Sequence, residues 1–226
     1  MGAPTYVLVP GAGGMASFWR LVRRELHTRG LHSVAVDLPA DDPEKGLPDY
    51  VDVIVAAAAG RSDIVLVAQS LGGFSASWAA ARLPVSRIVL LNAMIPLPGE
   101  TPGQWSDATG AAQAREEAAQ RGGYGDFDLE TYFLHDVDTT GLIDDQRPEA
   151  DAVWGSPCSF TAWPADRVRV LVGADDRLFP AEFQQRIAKE RLGLDADVQP
   201  GGHLIALAHP AAVADYLINI AGRDCG

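Results

Sequence analysis

The stretch Ile64–Gly73, with the sequence IVLVAQSLGG, contains an apolar and β-branched run that ends directly on Ser70. A helical pattern, FSASWAAA over Phe74–Ala81, follows at once. A strand that turns this sharply into a helix needs small residues at Ala68 and Gly72, because larger side chains would strike the turning backbone. The stretch therefore predicts a strand–turn–helix in which Ser70 is a candidate nucleophile. The alternative is an ordinary serine at a helix N-cap.

Two later residues fit the same chemistry. Asp176 follows a second apolar run, VRVLVG over residues 168–173, and His203 follows a Pro-Gly-Gly turn near the end of the chain. The carboxyl ends of parallel strands meet at one edge of a sheet, so we expect both side chains to lie near Ser70. Asp175 is an alternative acid, but the Gly-x-x-Asp spacing from Gly173 favours Asp176.

Apolar strand-like runs alternate with longer helical patterns along most of the chain. The predicted strands are residues 6–9, 33–36, 64–68, 87–91, 168–172 and 196–199. The predicted helices are residues 18–29 with Ser17 as the cap, 50–59, 74–83, 181–192 and 210–221. This alternation predicts an α/β fold, with a doubly wound and mostly parallel sheet covered by helices on both faces.

The alternation stops after the fourth predicted strand, at residues 94–164, which we call the insertion. Its helical patterns are residues 107–120 and 129–135, and residues 94–160 contain thirteen acidic and three basic side chains. We predict a core of residues 1–93 and 165–226 and a helical lid of residues 94–164. The acidic residues are interpreted as a solvated face, or as a field that disfavours anionic substrates.

Five stretches resemble the α/β-hydrolase superfamily. Within it, the chain is most similar to the small, lid-bearing esterase-like group that also contains the plant hydroxynitrile lyases. The stretches are VLVPGAGG at residues 7–14, VDLP at 36–39, AQSLGG at 68–73, GADD at 173–176 and GGH at 201–203. The resemblance covers nearly the whole chain except the insertion, and it implies the α/β-hydrolase fold.

The resemblance also implies a catalytic triad and an oxyanion hole. Ser70 would be the nucleophile, His203 the general base, and Asp176 the group that orients the imidazole. The backbone N–H groups of Leu71 and Ala12 would bind the oxyanion. The reaction implied is cleavage of a neutral, mostly apolar ester, thioester or lactone through an acyl-enzyme, with no cofactor and no metal.

Leu204 bears on the choice of reaction, because the hydroxynitrile lyases place a lysine directly after the terminal histidine. Without that lysine, ester hydrolysis is favoured over the alternative, a C–C lyase reaction on the same triad. A hydrolase fold that only binds a ligand is a further alternative, against which the complete triad argues. The predicted substrate-binding residues are Gly11, Gln69, Trp19, Trp105, Phe133 and His135.

A glycine-rich stretch supports a different class of protein. Residues 11–16, GAGGMA, fit a variant of the dinucleotide-binding fingerprint, and Asp37 then ends the second strand where a ribose would bind. This alternative is an NAD(P)-dependent oxidoreductase. It leaves Ser70, Asp176 and His203 unexplained, so the hydrolase interpretation is preferred.

Composition limits the partners. The chain has 226 residues, 47% of them hydrophobic, which is sufficient for one large domain. The net charge of −12 argues against nucleic acid and membrane surfaces as partners. Cys158 and Cys225 lack metal-ligand spacing, which favours a cytoplasmic protein without disulfides. We expect a small-molecule, ester-like substrate and a monomer or homodimer.

Overall fold

A six-stranded parallel sheet forms the centre of the computed structural model, which describes residues 3–140 and 147–222. The strands are β1 Thr5–Val9, β2 His32–Ala35, β3 Ile64–Gln69, β4 Val85–Leu91, β5 Val168–Gly173 and β6 Asp197–Gln199. Their order is β2-β1-β3-β4-β5-β6, and every pairing among them is parallel. Each predicted strand overlaps an observed one, so the predicted doubly wound, parallel α/β fold is confirmed.

Helices cover both faces of the sheet. They are α1 Arg20–Thr28, α2 Leu47–Ala57, α3 Gly72–Ala80, α4 Pro102–Thr109, α5 Ala111–Gly122, α6 Asp151–Trp154, α7 Ala181–Leu192, α8 Ile205–Ala208 and α9 Pro210–Gly222. Successive strand residues point to opposite faces. Val7 and Val9 of β1 therefore join a core cluster with α2, α3 and α7, whereas Tyr6 and Leu8 join a second cluster with α1 and α9. Two buried layers hold the strand ends in fixed positions.

The first helix begins differently from the prediction. A 3₁₀ turn, Ala16–Trp19, precedes α1, and Ser17 lies inside this turn rather than capping the helix. The carboxylate of Asp37, in the loop after β2, accepts a hydrogen bond from the Ala16 N–H at 3.0 Å. A residue from another loop therefore accepts the first N–H of this helical segment, so the prediction of a Ser17 cap was wrong.

The insertion contains more breaks than its sequence pattern predicted. The predicted helix at residues 107–120 is divided into α4 and α5 by Gly110, whose φ is +73°. Thr101 begins α4 with a capping box, in which its hydroxyl accepts the Gln104 N–H at 3.2 Å. The predicted helix at 129–135 is a single π-helical turn, Glu130–Leu134.

The insertion shares its hydrophobic core with the sheet. Trp105, Ala111, Val153 and Cys158 are buried in the same cluster as Val7 and Val9. The predicted bounds of the core and the lid stay a prediction. In the ranges 3–140 and 147–222, no helix combines the length and apolarity needed to cross a membrane. Cys158 is a free, buried thiol, and Cys225 lies outside the described residues.

Candidate active site

Ser70 has the strained backbone expected at a sharp strand-to-helix turn. Its φ is +51°, a left-handed conformation that residues other than glycine rarely adopt. The next turn of backbone passes close by: a Cβ atom at Gly72 would lie 2.5 Å from the carbonyl oxygen of Pro10, and one at Gly73 would strike that of Met94. The glycines thus let the turn form, and the turn fixes Ser70 at the carboxyl end of β3.

Asp176 and His203 form a buried pair at the same edge of the sheet. The Nδ1 atom of His203 lies 2.8 Å from Oδ2 of Asp176, and the two residues are 1% and 4% exposed. Oδ1 of Asp176 accepts the N–H groups of Leu178 and Phe179, both at 2.9 Å, and Oδ2 also accepts Nε2 of Gln184 at 3.0 Å. A carboxylate held in this way places a proton on Nδ1 and makes Nε2 of His203 a hydrogen-bond acceptor.

Asp175, the alternative acid, lies elsewhere. Its side chain is exposed, and its Oδ2 atom accepts the Gly201 N–H at 3.1 Å. Asp176 therefore contacts the imidazole of His203, whereas Asp175 holds the turn that leads into it.

Asn92 is a site residue that the sequence analysis missed. It is fully buried, has a φ of +45° and follows β4. Its Nδ2 atom donates to the carbonyl oxygens of Gly202 at 2.9 Å and His203 at 3.1 Å, and its Oδ1 atom accepts the Gly173 N–H at 2.7 Å. One amide thus joins the ends of β4 and β5 to the loop that carries His203. The available signal was a polar residue placed directly after an apolar strand.

Gln69 lies next to the imidazole of His203. Its Nε2 atom is 3.2 Å from Nε2 of His203 and also donates to the His203 carbonyl oxygen at 3.4 Å. The hydroxyl of Ser70 makes no hydrogen bond within the part of the chain that the structure describes. The structure therefore brings Ser70 and His203 into one cavity. Nε2 of His203 contacts the amide of Gln69, however, and not the hydroxyl of Ser70.

The cavity has a volume of about 480 Å³ and is largely apolar. Ser70 and His203 line it, together with three of the predicted substrate-binding residues, Gly11, Gln69 and Phe133. The ring of Phe133 meets the His203 imidazole edge-on, with centroids 5.4 Å apart. Further apolar walls come from Met15, Phe18, Leu129, Leu134, Leu204 and Leu207.

The other three predicted substrate-binding residues do not line this cavity. Trp19 is fully buried in the core cluster of α1 and α9. Trp105 is also buried, where its Nε1 donates to the carbonyl oxygen of Ile95 at 3.1 Å. His135 packs against Gly202 and lines a separate depression beside Asp176. The two tryptophans lie outside the cavity because they pack in the core. His135 lies outside it because the π-helical turn ends just before this residue.

The two predicted oxyanion donors flank Ser70. Leu71 follows it directly, and Ala12 lines the cavity in the loop after β1. Among residues 3–140 and 147–222, neither backbone N–H donates a hydrogen bond. Neither N–H therefore has a partner in the described residues, as an oxyanion hole requires; Ala12 lines the cavity, whereas Leu71 is buried directly behind Ser70 in the chain.

Glu149, from the end of the insertion, reaches the same loop. Its Oε2 atom accepts the Gly13 N–H at 2.8 Å, and its Oε1 atom accepts the hydroxyl of Tyr50. Burial raises the pKa of the Glu149 carboxyl above its ordinary value, and burial also raises the pKa of the Tyr50 hydroxyl. Glu149 lines the cavity, and sequence reasoning missed it because it lies far from every motif.

Asp37 has partners within the chain. Besides the Ala16 N–H, its Oδ1 atom accepts Nη2 of Arg147 at 2.6 Å. The carboxylate that the dinucleotide alternative assigned to a ribose is therefore engaged by the glycine-rich loop and the insertion.

A parallel sheet, a strained serine after β3 and a buried Asp–His pair define the alpha/beta hydrolase class. A profile of the alpha/beta hydrolase family matches residues 6–216, and the chain belongs to this family. The family resemblance drawn from the sequence motifs is confirmed. A search of the curated proteins found no match.

Solved structures of hydrolases and esterases share the fold. A pyrethroid hydrolase from Sphingobium faniae JZ-2 aligns with a TM-score of 0.79 at 20% identity, covering 99% of each chain. A methylesterase from Arabidopsis aligns with a TM-score of 0.75 at 18% identity, covering 96% of this chain and 98% of its own. Polyneuridine aldehyde esterase gives 0.73 at 20% identity, covering 97% and 100%.

Proposed function

We propose that this alpha/beta hydrolase is a serine esterase that cleaves a neutral, mostly apolar carboxylic ester, thioester or lactone through an acyl-enzyme. One observation carries the proposal: His203, which is paired with the buried Asp176, lines an apolar cavity together with the strained Ser70. The names of the structural neighbours, a pyrethroid hydrolase and two esterases, agree with this reaction class.

The reaction follows from the placement of these groups. The Ser70 hydroxyl attacks the ester carbonyl while Nε2 of His203 accepts its proton, and Asp176 stabilises the imidazolium that forms. The N–H groups of Leu71 and Ala12 bind the developing oxyanion. His203 then protonates the departing alcohol, and a water molecule activated by the same imidazole releases the acid from Ser70.

The cavity supports an apolar and uncharged substrate. Its walls include Phe133, Phe18 and Leu207, which bury an acyl or alcohol chain without supplying many polar partners. The charged side chains that line the cavity are Arg20, Arg147 and Glu149, and Arg147 is bonded to Asp37. The acidic excess of residues 94–160 adds a longer-range field that disfavours anions. The apolar walls and this field favour a neutral ester.

Covalent labelling tests this proposal. We expect a fluorophosphonate to modify the protein stoichiometrically, with the added mass located by peptide mass spectrometry on Ser70. Chromogenic p-nitrophenyl esters from acetate to octanoate should then be hydrolysed at rates that depend on chain length. A protein that binds such esters without labelling or turnover is a ligand-binding module, and this outcome contradicts the proposal.

Replacing Gln69 with leucine is expected to speed the labelling of Ser70. In the structure the Gln69 amide occupies Nε2 of His203, which must be released before the imidazole can accept the serine proton. One neutral hydrogen bond contributes about 1 kcal/mol, so we expect a rise of about fivefold in the labelling rate. The measurement is the second-order rate constant for fluorophosphonate modification.

Gln113 provides the matched control for this change. It is an exposed glutamine on α5, bonded to Glu117 and remote from the cavity. We expect Gln113→Leu to label at the wild-type rate. An unchanged or slower rate in a folded Gln69→Leu protein contradicts the competing role of Gln69.

A further inference from the structure

Glu149 connects the insertion to the loop after β1. The loop Gly11–Gly14, which we call the oxyanion loop, carries the proposed donor Ala12, and its next residue, Gly13, donates its N–H to Glu149 at 2.8 Å. We infer that Glu149 is a positioning residue for the proposed esterase reaction, which holds the oxyanion loop so that the Ala12 N–H points at the substrate carbonyl. This inference rests on the proposed function.

The chain around Glu149 packs on this loop at several points. The guanidinium of Arg147 donates to the carbonyl oxygens of Gly14 at 3.4 Å and Leu38 at 3.3 Å. A Cβ atom at Gly13, whose φ is +82°, would lie 2.9 Å from the Arg147 carbonyl oxygen. The Ala150 N–H donates to the Ala40 carbonyl oxygen at 2.7 Å. The residues before and after Glu149 in the sequence are therefore both anchored, which fixes the position of its carboxylate.

A carboxylate at this place has a specific task. Burying it is unfavourable unless hydrogen bonds replace water, and its two bonds are to Tyr50 and the Gly13 N–H. The second bond fixes the peptide plane between Ala12 and Gly13. Without an acceptor, Gly13 is free to turn its N–H elsewhere, because glycine adopts many backbone conformations. The Ala12 N–H belongs to the preceding peptide plane, so it is held indirectly, and a change in the ψ angle of Ala12 lets this N–H shift relative to the reacting oxygen.

The inference predicts a large effect of Glu149 substitutions on kcat and a small effect on KM. Glu149→Leu removes the acceptor, and we expect kcat for p-nitrophenyl butyrate to fall by about tenfold to 100-fold, since small misplacements of catalytic groups have effects of this size. KM should change less than about twofold, because the apolar walls that bind the acyl chain remain. Glu149→Gln keeps an acceptor oxygen for Gly13 and should restore kcat to within about threefold of wild type.

Asp49 and Tyr50 provide controls. The carboxylate of Asp49 also accepts a glycine N–H, that of Gly46 at 3.0 Å, but it lies at the start of α2 and outside the cavity. We expect Asp49→Leu to lower thermal stability and leave kcat unchanged. Tyr50→Phe removes the other partner of Glu149 and should preserve most of kcat.

Several results overturn the inference. They are a wild-type kcat in Glu149→Leu, an equal loss of kcat in Glu149→Gln and Glu149→Leu, and an equal loss in Asp49→Leu. If Glu149→Leu does not fold, hydrogen exchange of the assigned Gly13 amide in the wild-type protein decides, and an amide that is not protected from exchange overturns the contact. A wild-type protein that neither hydrolyses esters nor labels at Ser70 refutes the proposed function instead, so the two failures are distinguishable.

Discussion

Replacing Ser70 with alanine is expected to lower ester turnover by about 10⁶-fold and to abolish fluorophosphonate labelling. The variant lacks the oxygen that forms the acyl-enzyme in the proposed mechanism. The fold should survive, because alanine keeps the Cβ atom and the Ser70 hydroxyl makes no hydrogen bond in the described part of the chain. The measurement is p-nitrophenol release under single-turnover and steady-state conditions, with the melting temperature as the check on folding.

Ser75 and Ser77 offer matched controls for this change. Both are buried on α3, and their hydroxyls donate to the carbonyl oxygens of Gly72 at 3.2 Å and Phe74 at 2.8 Å. We expect Ser75→Ala and Ser77→Ala to keep wild-type turnover. A Ser70→Ala protein that still forms an acyl-enzyme shows that another residue is the nucleophile.

Replacing Asp176 with asparagine is expected to lower turnover by about 10⁴-fold. The neighbouring N–H groups determine how the new amide sits, because Leu178 and Phe179 both donate to the Oδ1 position. The amide oxygen must stay there, so its NH₂ group faces Nδ1 of His203. The imidazole then carries its proton on Nε2, where it cannot accept one from Ser70. The measurement is kcat, with labelling of Ser70 reduced in parallel.

Asp175→Asn is the matched control for Asp176→Asn. An asparagine oxygen at position 175 can still accept the Gly201 N–H, and the side chain is exposed. We expect activity within about threefold of wild type, as for other exposed substitutions. If instead Asp175→Asn is inactive and Asp176→Asn is active, Asp175 is the acid of the triad.

Local patterns predicted the sheet and the Asp–His pair. The four central strands, β1, β3, β4 and β5, are largely apolar runs, whereas the edge strands β2 and β6 are short and only partly apolar. A parallel sheet brings the residues after β3 and β5 to one edge. The contact between His203 and Asp176, rather than Asp175, follows from which side chain the turn after β5 directs inward.

The polar groups that support the site were not predicted from the sequence. Asn92 had a weak signal in its place after β4, whereas only the folded backbone brings the Gln184 amide to Asp176 and the Glu149 carboxyl to Gly13. Trp105 lies in the core, because an aromatic residue in an insertion fits a core as well as a pocket. The orientation of Gln69 depends on a rotamer, which periodicity does not encode.

The side chain of Asn92 has a consequence for how the protein fails under stress. A single amide bonds to three segments at once: it lies at the end of β4, accepts from the end of β5 and donates to the backbone at Gly202 and His203. Local opening at that junction releases the imidazole while the two hydrophobic layers remain intact. Mild heat or denaturant should therefore abolish activity reversibly before the protein unfolds. Residual activity then measures local opening at Asn92, and calorimetry measures unfolding of the core.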